Sequence, residues 1–337
     1  MNRLTLLLII YFNACLLISF PISEYDFRLP TSVVSPVEAA YGGVNVASNT
    51  DFYLVFNNPA LLATVRQTTF SASFVLPPNN YQEITSVLNT TPFLENNKFR
   101  GFSFQGKQIG LGYLVLTEDK FKRTETNGNQ TYQDYKINSY LLGFSDSIDS
   151  YHWGINLKLL SGRLVYLEQE KIYSDGDSLL SINTFIDSRA LGYSSDLGIS
   201  TSKHGISYGL VFNDLLSKIY WKGHSSGEIR TRVTTSVDYT AGNYSFGIGA
   251  NNRWNINTKP FLNSYYAYRF NFGRPDDIQT ASMRFGVCSR DFENQDSILF
   301  NMGFGYMFRM MKVDIALQSQ GWKANQTQYL FSLSLGE

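Results

Sequence analysis

From Gln67 onward the chain repeats one pattern, with apolar side chains at every second position and small residues between them. Ile109, Leu111, Tyr113 and Val115 share one face, opposite Gly110 and Gly112. Trp153, Ile155, Leu157 and Leu159 alternate with Gly154, Asn156 and Lys158, and Ile206, Tyr208, Leu210 and Phe212 with Ser207, Gly209, Val211 and Asn213. Tyr244, Phe246, Ile248 and Ala250 repeat it, as do Met302, Phe304, Tyr306 and Phe308, and Val313, Ile315 and Leu317. A period of two marks strands with chemically different faces. In a soluble sandwich the face turned away from the core carries charge. Here it carries mostly Gly, Ser, Asn and Ala, which suits a crowded or wet lumen, while a continuous apolar face with Tyr, Phe and Trp suits lipid.

Composition agrees. Charged residues make up 17 % and aromatic residues 15 %, against roughly 25 % charged in a soluble domain. The 28 basic and 28 acidic side chains cancel, which argues against a nucleic-acid partner, since that needs a net positive field. Strands placed at 67–76, 99–105, 108–117, 133–145, 151–162, 189–201, 204–213, 229–240, 244–253, 261–272, 279–290, 297–308, 310–320 and 326–335 number about 14, each near the ~9–11 residues that cross a membrane at a tilt. The expected fold is an all-β, transmembrane antiparallel barrel over 67–337. Connections at 77–98, 118–132, 174–188, 214–228 and 254–260 are long and those between them tight, as when both termini are periplasmic and the long loops face outside. Alternating Phe331, Leu333 and Leu335 read as a lipid-facing last strand that closes on the first.

The stretch 40–64 does not alternate, yet it is apolar and contains Gly42 and Gly43. Its expected place is inside the barrel, as a hatch within an N-terminal region 24–66. Asn58 is suited to cap a short helix with Pro59 at its first position, where the missing N–H costs nothing. Residues 1–23 read as a signal peptide: Arg3 followed by an apolar run from Leu4 to Phe20. With that leader removed only Cys288 remains, so no intramolecular disulfide is available.

Enzymatic chemistry finds little support. His152, His204 and His224 form no HExxH or Cys/His metal spacing, and no G-x-S-x-G or phosphate loop occurs. Asp175, Asp177 and Asp187 lack the spacing of a calcium loop. No catalytic residue, metal or cofactor is expected. Lys158, Arg163, Asp196, Asp238 and Asp314 are placed on the inward face, as paired lumen charges. In the long connection 215–227, Ile219, Tyr220 and Trp221 are apolar for a loop, and could meet a greasy ligand at the mouth or pack on the rim.

A Gly-Gly segment within 39–46, then Asn58-Pro59-Ala60, then about 14 strands with Gly-rich inner faces, including Asp196-Leu197-Gly198 and 209–213, resembles the FadL-type outer-membrane barrels and their PorV-like relatives. Those motifs usually continue Asn-Pro-Ala-Gly, where this chain has Leu61. The resemblance implies an outer-membrane barrel with a lumenal hatch. As a FadL-type transporter it would pass hydrophobic compounds such as long-chain fatty acids; as a PorV-like protein it would serve secretion or surface assembly. The expected partners are membrane lipid, hydrophobic small molecules and, in the second case, secretion-system proteins. The hatch and ligand-facing candidates are Phe52, Tyr53, Phe56, Asn58, Pro59, Ala60 and Leu61, for an apolar ligand needs a largely apolar wall.

Overall fold

The structure is a computed structural model that describes residues 20–21, 33–76, 98–124, 128–174, 177–224, 226–254, 259–274, 277–294, 297–320 and 327–336 of the 337-residue chain. The proposed signal peptide and the connection 77–97 therefore lie almost wholly outside the described residues. Fourteen strands form one ring. They are β1 (Thr69–Leu76), β2 (Lys98–Gly106), β3 (Ile109–Thr124), β4 (Gln130–Ile148), β5 (Tyr151–Ser174), β6 (Asp177–Lys203), β7 (Ile206–Trp221), β8 (Arg232–Ala241), β9 (Tyr244–Arg253), β10 (Phe261–Arg274), β11 (Asp277–Ser289), β12 (Leu299–Phe308), β13 (Met311–Gln320) and β14 (Thr327–Gly336). Each pairs antiparallel with the next, and β14 pairs with β1 through Leu333 opposite Ala72. The ring leaves no open edge across the membrane, as a lipid environment demands of a β-structure. Rings on the outer face reinforce this seam: Phe331 stacks on Phe74 at 5.5 Å, and Phe74 meets Phe99 at 5.6 Å.

The alternation sorts the side chains as the pleat requires. Phe70, Phe104, Leu111, Tyr140, Leu157, Phe246, Phe304 and Ile315 are exposed on the outside, whereas Ser71, Ser103, Asn156, Ser236, Asn263, Asn301 and Ser332 are buried inside. Among the described residues no helix is long and apolar enough to cross a membrane.

Strand length differs around the ring. β8, β9, β12, β13 and β14 have 10 residues each, while β5 has 24 and β6 has 27. The expected loops 118–132, 174–188 and 214–228 are thus largely strand. Glu118 lies opposite Lys136, and the β5–β6 ladder runs on to Ser174 opposite Asp177. In 118–132 polar residues prevail, and in 174–188 and 214–228 the apolar residues come in runs, Leu179-Leu180, Phe185-Ile186 and Ile219-Tyr220-Trp221, so none of the three carries a clean period-2 signal, but cross-strand pairing holds them extended all the same. The extra length, at ~3.3 Å per residue, lifts this wall beyond the membrane by about 40 Å. Arg163 belongs to the raised part; it is 62 % exposed and lies 3.8 Å from Asp187, so it does not face the lumen as the sequence suggested.

β7 is irregular. Its register against β6 slips twice, around Ser195, and Asp214 and Leu216 have φ of 59° and 50°. Extra residues in one strand bend it and increase its twist, and the end of β7, at Ile219 and Trp221, packs into an apolar cluster with Tyr135, Ile137, Leu160 and Ala190.

Candidate functional site

The residues between 33 and 64 pack against the inner faces of the strands. α1 (Pro36–Ala40) is capped by Ser35, whose Oγ accepts from Val37 N at 3.0 Å and Glu38 N at 3.4 Å. Ser35-Pro36-Val37-Glu38 is an S-x-x-E start signal, which lies within the N-terminal region 24–66 and was not singled out from the sequence. Gly42 and Gly43, with φ of 85° and 75°, end the helix, and Gly43 N–H returns to Glu38 O at 2.8 Å. Left-handed backbone is why glycine stands there. α2 (Leu54–Asn57) and a 3₁₀ helix (Pro59–Thr64) complete the segment.

The inner-face glycines have a common explanation. A Cβ on Gly303 would stand 2.5 Å from the Ala40 methyl, and one on Gly286 2.4 Å from Ala40 O. One on Gly209 would meet Val46 O at 2.1 Å, one on Gly198 Asn58 Oδ1 at 2.0 Å, one on Gly154 the Pro59 carbonyl carbon at 2.4 Å, and one on Gly112 the Phe56 ring at 2.5 Å. The wall is hollowed where the segment runs, from β12 around to β3.

Asn58 is the joint of this arrangement. Fully buried, it donates through Nδ2 to Val46 O at 2.7 Å and to Ile199 O of β6 at 3.3 Å, while its Oδ1 accepts from Ala60 N at 3.0 Å as the helix cap. The capping role anticipated from sequence is present, on a 3₁₀ rather than an α-helix. Pro59, Ala60, Leu61 and Tyr53 are also buried, and Phe52 and Phe56 partly so. Wall residues answer in kind: Asn263 Nδ2 donates to Tyr41 O at 2.6 Å and Val44 O at 3.0 Å, Ser103 Oγ to Phe52 O at 2.8 Å, and Asn156 Nδ2 to Val55 O at 2.8 Å.

Apolar contacts form a chain along the tall wall. At the long-strand end, Tyr135, Ile137, Leu160, Ile219 and Ile229 pack with Trp221 and Leu116. Leu116 also touches the cluster of Val34, Tyr53 and Leu114, and Phe56 joins that cluster to Leu54, Val55, Leu61, Leu62 and Leu141. Ile219 and Trp221, expected in a loop, lie at the end of β7, and Ile219 is fully buried. Tyr220 instead points outward, 50 % exposed beside Tyr193.

Charges are gathered in two buried groups. Lys158 Nζ lies 2.6 Å from Asp196 and 2.8 Å from Asp214, the residue that the β7 irregularity turns inward. Arg284 and Lys312 hold Asp314 at 2.9 and 3.0 Å, and Lys312 Nζ also lies over the Phe52 ring and donates to Thr50 O. Asp238 accepts a very short hydrogen bond from Tyr265. The inward placing of Lys158, Asp196, Asp238 and Asp314 follows the sequence expectation. Arg284 and Lys312 alternate with apolar neighbours in the same way, a signal that could have found them. On the segment itself, burial pushes the Glu38 carboxyl up to about 8 despite the opposing charges of Arg232 and Arg100. Burial raises Asp51 too, against the pull of Lys312.

At the short-turn end lies a cavity of ≈ 200 Å³, bounded by Tyr41, Thr50 and Phe52 of the segment and by Arg269, Arg284 and Lys312 of the wall. Arg284 and Lys312 share the single carboxylate of Asp314, so with Arg269 the cavity keeps a net positive charge beside aromatic rings and can receive an anionic group attached to an apolar body. Among the described residues, no cluster of three His, Cys, Asp or Glu side chains could hold a metal ion.

These features, a closed 14-strand ring with an apolar exterior and a segment packed in its lumen, can be set beside solved structures. The toluene transporter TodX of P. putida superposes with a TM-score of 0.57 at 10 % identity, covering 91 % of this chain and 99 % of that one. The fold is that of the FadL-type transporters. The toluene transporter TbuX of Ralstonia pickettii gives a TM-score of 0.52 over 92 % and 98 % of the two chains, and a Pseudomonas aeruginosa FadL homologue 0.52 over 90 % and 98 %, both at 10 % identity. No family model and no curated sequence matches the chain. The FadL-type barrel expected from sequence is thereby the fold observed, and an apolar outer belt around a polar lumen is the build of an outer-membrane protein. The comparisons lend no support to the PorV-like alternative.

Proposed function

We propose that this barrel passes hydrophobic compounds bearing an acidic group, such as long-chain fatty acids, through the outer membrane, and that residues 33–64 are the hatch that gates them. The observation that carries the reading is the chain of apolar contacts from Trp221 through Leu116 and Phe56 to Leu62, which leads from the long-strand mouth into the hatch. An apolar solute entering there keeps apolar neighbours as it descends. The cavity with Arg269, Arg284 and Lys312 lies at the other end, where a carboxylate would be drawn out toward the short-turn side. A hydrophilic porin would have no use for such a contact chain.

Vesicles containing the purified barrel should take up palmitate faster than empty vesicles and should exclude a disaccharide. Arg269→Gln, which removes a cation from the cavity without breaking a buried ion pair, should slow palmitate uptake about threefold, in keeping with ~0.2–1 kcal/mol for an exposed charge, and leave uptake of a neutral hydrocarbon unchanged. Equal uptake of palmitate by full and empty vesicles would end the proposal.

A further inference from the structure

A second recess lies on the other side of the wall, facing the membrane. It has a volume of ≈ 520 Å³ and an almost wholly apolar lining, and it spans β9 to β14. The strand register explains it. Ser264, Val287, Phe300, Ser319 and Thr327 are successive cross-strand partners and make one row; Tyr266, Phe285, Met302, Leu317 and Tyr329 make the next. Apart from Phe300, the first row is small and the second bulky, so the outer surface dips. Ser319 and Thr327 are only 8 % and 7 % exposed although their rows face outward, and their hydroxyls are hydrogen-bonded to each other at 3.1 Å. That bond pairs the two buried hydroxyls with each other, which lowers the desolvation cost that an apolar occupant meets there.

The structure assigns this recess as a seat for one acyl chain of a membrane lipid. The occupant follows from the location. The recess continues the lipid-facing belt and opens into the hydrocarbon. It lies toward the strand ends that carry the longer connections, since Val287, Ser319 and Thr327 are within three residues of the ends of β11, β13 and β14. From β10 to β14 the row crosses four inter-strand spacings, about 19 Å at ~4.8 Å each, the length of an extended chain of roughly 15 carbons. Its floor includes the backbone at Gly286, whose inner side touches Ala40 and Tyr41 of the hatch. A seated chain therefore braces, from outside, the stretch of wall on which α1 rests.

The test is native mass spectrometry of the full chain in mild detergent, titrated separately with lipid A and with palmitic acid. Lipid A should give one adduct that survives when further adducts have been stripped, and Ser319→Trp and Val287→Trp, which fill the recess, should weaken it at least tenfold. Leu157→Trp, on the outer face of β5, should leave it unchanged, and heat-modifiable migration verifies that each variant is folded. No surviving lipid A adduct, equal loss in all three variants, or retention in all of them would overturn the assignment. So would a recess that holds palmitic acid but not lipid A, which would mark it as a stop for the transported compound. These outcomes are independent of vesicle uptake, which tests the lumenal route.

Discussion

The tall wall of the barrel, β3 to β7, and the short wall, β8 to β14, hold the same N-terminal segment by different means. On the tall wall tight steric fit comes first, with Phe56, Pro59 and Leu62 in hollows left by Gly112, Gly154 and Gly110, and polar ties from Asn156 to Val55 O and from Asn58 to Ile199 O are added to it. On the short wall the turn after α1 is held by Asn263, which donates to the carbonyls of Tyr41 and Val44, and Lys312 donates to Thr50 O further along, while Gly286 and Gly303 receive Ala40. Steric fit tolerates neither a bulkier wall nor a shift of the backbone. Polar ties can break and re-form with water. The 3₁₀ helix is accordingly the more tightly seated half of the segment, and the α1 half is the more responsive to solution conditions.

The most damaging change should be on the tall wall. Gly198→Val would place a side chain where Asn58 Oδ1 now stands, 2.0 Å from the position of a Cβ. Overpacking of this kind costs about 1–3 kcal/mol, enough to raise the unseated fraction some five- to hundred-fold, and planar-bilayer recordings should show a corresponding increase in open-channel conductance. If Gly198→Val conducts like the wild type, the steric account of the tall wall is wrong.

Asn58→Ala probes the same joint more gently. It removes the cap of the 3₁₀ helix and the bonds to Val46 and Ile199, together worth about 1–3 kcal/mol. The unseated fraction should rise roughly tenfold, visible as faster protease cleavage within 33–64. Asn263→Ala, its counterpart on the short wall, should have the smaller effect, because Gly286 and Gly303 still receive Ala40.

How much of this could be read from the sequence follows from what alternates. Ile109 to Val115 or Met302 to Phe308 declare their two faces residue by residue, so ring, strand number and lipid-facing side were legible. Asn58-Pro59 announced a cap and a first helical position. The raised parts of β4 to β6 were less legible, because apolar residues come in runs such as Leu164-Val165-Tyr166-Leu167 beside the polar row of Thr131, Glu168 and Thr184, and their extended state comes from partners distant in the chain. Nor was the reason for the glycines: Gly154 and Gly198 looked like lumen lining, and only the path of Asn58-Pro59 past them shows that they are seats. The ion pair of Arg284 with Asp314 joins residues 30 apart in sequence, with no local pattern to link them.

A separate effect concerns pH and belongs to the short-wall half of the segment. Glu38 goes from an ordinary carboxyl value of 4.5 when released to about 8 when packed. Below 4.5 it is neutral in both states and packing is at full strength. Between 4.5 and 8 the released form ionises while the packed form keeps its proton, so packing weakens as pH rises, by at most about tenfold per unit. Above 8 no further change is expected. Protease cleavage within 33–64 should therefore increase from pH 5 to pH 8, and Glu38→Gln should flatten the profile while leaving the low-pH rate as it is. A wild-type profile that is flat, or that falls with pH, would remove Glu38 from the account.

The central claim is that the segment must leave its seat for a hydrophobic compound to pass. It is tested most directly by fastening the two together. The Val55 Cβ lies 3.1 Å from where a Cβ on Gly110 would stand, close to the ~3.8 Å that a disulfide spans, so Val55→Cys with Gly110→Cys can be oxidised and reduced in the same vesicles. Palmitate uptake should stop in the oxidised barrel and return on reduction. Undiminished uptake with the cross-link formed would contradict the claim.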